Sequence, residues 1–176
     1  ILFKDLYIII LRIMNNYQLN SNWCIWYHSI KDNNWKNNSY KNIYKISNIY
    51  ELKSFIDTIE TIHLQNGMFF IMKDDIFPTW EDPDNRNGCC VSFKISNKDL
   101  KEQFDFIVYR VLSGDILKDK ENTDYLNGIS VIPKKEFNIV KLWLRDYDEN
   151  YIEHLNIYEP YFVKDKSLIK KHELSD

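Results

Sequence analysis

The sequence predicts an α+β domain in which a curved antiparallel β-sheet carries helices on one face, and three observations point there. Short aromatic and β-branched runs recur along the chain, and two stretches between them place apolar residues at helical spacing. No repeat or Gly/Ser-rich linker interrupts this order. A chain of 176 residues has room for one domain with a real core, and not for two ordinary ones. Residues 1–14 are read as an N-terminal extension and 15–176 as that single domain, with Met14 just ahead of the first domain-like segment.

The elements follow in order. Trp23-Cys24-Ile25-Trp26-Tyr27-His28 is strand-like, with both tryptophans expected in the core. Lys31 through Asn38 is a polar loop carrying one conspicuous Trp35, and Tyr40 to Ile46 is a second strand. Ser47 is expected to cap a helix with Ile49, Leu52, Phe55, Ile56, Ile59 and Ile62 on one face. Gly67 to Met72 and Cys89 to Ile95 are the third and fourth strands. Asn97 is expected to cap a second helix, with Asp99 and Glu102 in its first turn, where the helix dipole favours acids. Its stripe is Leu100, Phe104, Ile107, Val108, Val111 and Leu112, and Gly114 ends it. Residues 126–132 and 138–144 form a hairpin pair joined by Pro133 to Phe137. A last helix covers about 148–158, stopped by Pro160, and Lys164 to Lys171 is a basic tail.

Composition excludes several function classes. A net charge of −3 argues against generic nucleic-acid binding, which needs a basic surface, yet leaves room for a site gripping one nucleotide. The apolar run Leu6 to Leu11 is too short to cross a bilayer, and no small-residue cleavage site follows it as a signal peptide requires. No membrane association is expected. Three cysteines, two of them adjacent, make neither a disulfide framework nor a zinc set, so a reducing, cytoplasmic setting with free thiols is expected. The excess of Asn, Lys, Ile and Tyr reads as the codon bias of an AT-rich genome. His28, His63, His154 and His172 show no triad or metal spacing and are read as structural or surface residues. Asp82 to Asn87 fails as a calcium loop, because Asn87 holds the required glycine position. No metal, no cofactor and no enzymatic activity are expected, since Glu81 and Asp82 lack a nucleophile motif or phosphate loop beside them.

The informative stretch is Pro78-Thr79-Trp80-Glu81-Asp82-Pro83-Asp84-Asn85-Arg86-Asn87-Gly88. It sets an indole beside a carboxylate on a loop with a proline at each end and a glycine at its close. An aromatic face next to an acceptor-only group suits guanine: the ring stacks on the base while the carboxylate takes the hydrogens of its N1–H and exocyclic amine. A surface turn with an inward tryptophan and solvated acids fits the same residues.

In four blocks of residues the chain resembles the eukaryotic translation initiation factor 4E family, which binds the 7-methylguanosine cap of messenger RNA. The blocks are Trp23 to Tyr27, Ile46-Ser47 with the Phe55 helix, Pro78 to Asp82 with Asn85 and Gly88, and Gly128 followed by Trp143. The composition is compatible with a divergent, even viral, member. The resemblance implies a cupped sheet with helices on its convex back and the cap in its concave mouth. It implies Trp80 as one stacking face, Glu81 as guanine-edge acceptor, Trp143 against the N7-methyl group, and Lys134 on the cap phosphates. The second stacking face stays open between Tyr40 and Trp35. Cys90, Glu136 and Ile139 stand where the family carries basic residues, which shifts the phosphates toward Lys134, Lys135, Lys141 and the basic tail.

On the back, Tyr17, Leu52 and Ile56 fall at partner-binding positions, and Ile56 replaces the tryptophan that docks a scaffold subunit's helical motif. The implied partners are capped messenger RNA and a scaffold-type initiation factor, or another helical partner, at an altered interface. A cap-binding repressor, or a degenerate member acting only as a protein-interaction subunit, are the alternatives.

Methylation at N7 gives guanine a positive charge, so each aromatic face gains a cation–π contribution of about 0.5–2 kcal/mol when desolvated. Two such faces discriminate methylated from unmethylated guanine by roughly ten- to several-hundredfold.

Overall fold

The computed structural model describes residues 17–119 and 123–173; the expected N-terminal extension lies outside them. Seven strands make one antiparallel sheet: β1 (Gln18–Ser29), β2 (Lys41–Asn48), β3 (Gly67–Lys73), β4 (Cys89–Ser96), β5 (Leu126–Pro133), β6 (Phe137–Leu144) and β7 (Leu168–Lys171). Their spatial order is β2-β1-β3-β5-β6-β4-β7. The helices are α1 (Ile49–Thr58), α2 (Thr61–Asn66), α3 (Leu100–Leu112) and the single turn α4 (Tyr151–His154). The expected α+β class holds. No helix among the described residues is long and apolar enough to cross a membrane.

Strand alternation divides the core in two. Ile25, Phe69, Ile71, Val91, Phe93, Ile129, Val131, Val140 and Leu142 point to one face, where α1, α2 and α3 cover them with Leu52, Phe55, Ile56, Leu64, Phe104 and Ile107. The other face carries a smaller cluster of Met68, Phe70, Met72, Cys90 and Trp143, joined by Tyr40 and Ile76 and left without helices. The register that builds this second face sets Cys90 opposite Trp143 on β6 and Lys170 on β7. Phe104, 1% exposed and edge-on to Phe55 at 6.3 Å, centres the covered side. Phe104→Ala is expected to cost about 3–5 kcal/mol of stability, read as a lower urea midpoint.

Four expectations need correcting. The long first helix is two helices. Asn48, not Ser47, caps α1 by accepting from Glu51 N–H at 3.0 Å, and Glu51 accepts in return from Ser47 N–H at 2.7 Å. Ile59 then turns extended, and His63 Nδ1 accepts from Glu60 N–H at 2.9 Å to start α2. Ile49 and Ile62, expected on the buried stripe, are 45% and 55% exposed.

Asn97 does not cap α3, which begins after Asp99. Its side chain instead ties the β5–β6 turn, donating to Lys135 O at 3.3 Å and accepting from Asn138 Nδ2 at 2.7 Å. The helix expected over 148–158 shrinks to α4 because Leu155 and Asn156 pair with the 115–118 segment through Asn156 N–H to Ile116 O at 2.9 Å. The basic tail is in part β7, hydrogen-bonded along β4 at the sheet edge.

Candidate functional site

The loop between β3 and β4 is fixed from inside. Asp82 accepts from Phe77 N–H at 2.9 Å and Asp84 N–H at 3.0 Å through its carboxylate, and its carbonyl accepts from Asn85 and Arg86 N–H at 2.9 Å. Asn85, fully buried, donates to the carbonyls of Phe77 and Thr79 at 2.9 Å and accepts from Asn127 Nδ2 at 3.0 Å. Side chains thus satisfy backbone groups that no helix or strand satisfies here. With Asp82 and Asn85 turned inward, half-buried Trp80 and exposed Glu81 present themselves outward.

Opposite them, Trp35, Tyr40 and Phe70 form the far wall of a cavity of about 390 Å³, floored by Ile132, Lys141 and Trp143. Six sequence-nominated residues therefore meet at one mouth: Trp35, Tyr40, Trp80, Glu81, Lys141 and Trp143. Tyr40 is 9% exposed and wedged edge-on against His28, Phe70 and Phe77 at 4.8–5.5 Å. Burial, with Glu81's charge nearby, pushes its phenol up to about 12, so it stays protonated. Trp35 is 56% exposed and lies flat on His28, with centroids 4.4 Å apart and planes 6° from parallel. His28 is itself buried and held by Asn34 O at 2.8 Å from Nε2. Trp143 is 4% exposed, donates Nε1–H to Ser130 Oγ at 3.0 Å and lines the cavity with the little of its ring that is open.

Lys134 and Lys135 are not brought to this mouth. They stand on the β5–β6 turn and line a second cavity with Ile30, Gln65, Asn97 and Pro133. On the helix-covered side, Leu52 and Ile56 are buried at 3% and 4%, packed in the core rather than presented at the surface. What that surface offers is Tyr17, ring to ring with Tyr50 at 5.0 Å, together with exposed Tyr50 and Ile49.

Two further residues reach the site: Lys170 on β7, which belongs to the expected basic tail, and His172 just past it, read from the sequence as a structural or surface histidine. The Lys170 ammonium stands 5.2 Å from the Trp80 ring centroid. His172 stacks on Trp80 with centroids 5.3 Å apart and planes 15° from parallel. No spacing signal could have found His172, because its link to the site runs through the pairing of β7 with β4.

The chain matches the family model for eukaryotic initiation factor 4E over residues 18–161. A eukaryotic translation initiation factor 4E of Candida albicans is 27% identical over 145 residues, covering 77% of this chain and 68% of that protein. A homolog of the same factor from Acanthamoeba polyphaga mimivirus is 28% identical over 87 residues, which are 49% of this chain and 32% of that relative. Among solved structures, Ascaris suum eIF4E-3 in complex with m7G cap superposes with a TM-score of 0.66 at 19% identity, covering 78% of each chain. Schistosome eIF4E complexed with m7GpppG and 4E-BP gives 0.68 at 19% identity, covering 77% of this chain and 75% of that one. These likenesses establish the fold.

Proposed function

Because this chain belongs to the eukaryotic initiation factor 4E family, we propose that its open face binds the 7-methylguanosine cap of messenger RNA and serves translation initiation in the cytoplasm. The observation that carries this is the meeting of Trp80 and Glu81, on a loop frozen by Asp82 and Asn85, with the rings of Trp35, Tyr40 and Phe70 across one cavity. The protein acts as a binding module, and no group at the mouth is asked to do covalent chemistry.

Trp80 stacks on one side of the base and Glu81 accepts from its N1–H and N2–H edge. Trp35 supplies the second face: it is exposed, and its other side rests on His28. Tyr40, wedged edgewise among three rings, serves as the wall behind it. Trp143 offers its edge to the N7-methyl group. Lys141 and Lys170 flank the β4 strand and take the nearer cap phosphates, where the family's basic residue is replaced by Cys90. Lys134 and Lys135, two and three residues beyond Ile132, take more distant phosphates. On the back, Tyr17, Tyr50 and Ile49 form the apolar patch for a helical partner, because Leu52 and Ile56 are enclosed.

Glu81 also rejects adenine, which has no matching donor pair and would leave the carboxylate desolvated and unpaired. Titration calorimetry with 7-methyl-GTP tests the assignment. Glu81→Ala is expected to weaken binding roughly ten- to a hundredfold, the size of losing hydrogen bonds to a charged group. Unchanged affinity would remove Glu81 from the base edge.

A further inference from the structure

His172 lies outside every sequence motif, yet it is among the most constrained side chains near the mouth. It is 4% exposed. Its Nδ1 lies 2.6 Å from the carbonyl oxygen of Asn85, which can only accept, so Nδ1 carries the hydrogen and donates it. Its Nε2 lies 3.1 Å from Cys90 Sγ. Burial pushes the Cys90 thiol up to about 12, so Sγ keeps its hydrogen and Nε2 accepts it. The ring is therefore a neutral imidazole of fixed tautomer, pinned at both nitrogens to the strand and loop that frame the site. One plane of this ring lies against Trp80, and Trp143 leans on it at 5.3 Å and 53°.

Resting on the cap-binding reading above, we propose that His172, fixed between Asn85 and Cys90, is a positioning residue that sets the angle of the Trp80 ring, and that protonating it weakens cap binding. Asp82 and Asn85 hold the loop backbone and not the indole. The indole packs against the open-face cluster, has the Lys170 ammonium over it, and takes its ring plane from His172, the one ring among the described residues that stacks on it nearly parallel. An aromatic plate in contact on one side is worth about two- to tenfold in the population of the stacked geometry. Protonation undoes the arrangement, because Nε2–H can then only donate, to a sulfur that is a weak acceptor, while the buried ring carries a charge with no carboxylate bonded to it.

The groups facing His172 are Cys90 from β4, Lys141 from β6, Glu81 from the loop, and Lys170 with its partner Glu173 beside it on its own segment. Burial, aided by Lys141, holds the imidazole below its ordinary 6.5, against the pull of the Asn85 carbonyl and Glu81. The unfolded chain therefore takes the proton first. Stability contributed by neutral His172 is complete above about pH 6.5 and declines as pH falls toward the lower folded value.

The experiment is a 7-methyl-GTP titration at pH 7.5 and pH 5.5 on the full chain, on His172→Ala and on His172→Phe. At pH 7.5, His172→Ala is expected to bind about three- to tenfold more weakly, while His172→Phe, which keeps a plate against Trp80, stays within about twofold of the parent. Between the two pH values the parent should lose more affinity than His172→Phe, whose ligand titrates identically but whose plate cannot protonate. If His172→Ala does not fold, the Phe variant alone carries the pH comparison. A parent that binds well, with all three chains equal at both pH values, overturns the positioning role and leaves the cap reading standing. A parent that does not bind 7-methyl-GTP at pH 7.5 overturns both.

Discussion

Trp80→Ala is expected to weaken 7-methyl-GTP binding by thirtyfold to several-hundredfold, roughly 2–4 kcal/mol, with little loss of fold. The magnitude combines a base–aromatic stack with the cation–π attraction of the methylated ring. The fold should tolerate the change because the loop is held by Asp82 and Asn85, whose bonds do not involve the indole. The same substitution should weaken unmethylated GTP by a smaller factor, that of the base–aromatic stack alone, since that ligand carries no delocalised charge. Calorimetry on both ligands separates the two contributions. A loss under threefold for 7-methyl-GTP would mean that the indole is packed for structure alone.

Gly88→Ala should be the most damaging small substitution in the chain. A Cβ at this position would land on the Leu144 carbonyl oxygen and come within 2.8 Å of the Arg145 carbonyl oxygen. Both obstacles are backbone of β6 and its exit, so no side chain can swing aside. Gly88 also donates to Asn85 O at 2.9 Å and accepts from His172 N–H at 3.0 Å, so displacing it loosens the loop and the segment after β7 together. A destabilisation of about 3 kcal/mol or more is expected, with cap binding lost in the same variant. Gly67→Ala is the control: its Cβ would first meet the Tyr27 ring, a side chain able to move, and a markedly smaller shift in urea midpoint is expected. Equal midpoints for the two variants would contradict this account of the loop.

Much of the fold was legible because its strands announce themselves locally. β3, β5 and β6 are runs of apolar residues bounded by Gly67, Pro133 and the polar turn after it, and the α3 stripe reads at helical spacing. What could not be read depended on contacts between distant segments. The break between α1 and α2 is made by an acid and a histidine that look unremarkable in sequence, Glu60 and His63. β7 has only four residues, three of them charged or exposed, and becomes a strand only because β4 offers an edge.

The candidate site divides the same way. Trp80 and Glu81 are adjacent and their chemistry is visible in the sequence alone. His172 is 82 residues from Cys90 and 87 from Asn85, and nothing between them marks the connection. The choice between Trp35 and Tyr40 was equally illegible, since it turns on which ring is wedged and which is open. Lys134 illustrates the reverse case, a position nominated by the family resemblance while its side chain stands on a turn beside another cavity.

The most direct measurement is intrinsic tryptophan fluorescence of the unmodified chain titrated in parallel with 7-methyl-GTP and GTP. Two aromatic faces around a charged base predict strong quenching by the methylated ligand and at least tenfold tighter binding than GTP. Equal affinities for the two ligands, or no quenching by either in a folded sample, would contradict the assignment of this open face to the messenger RNA cap.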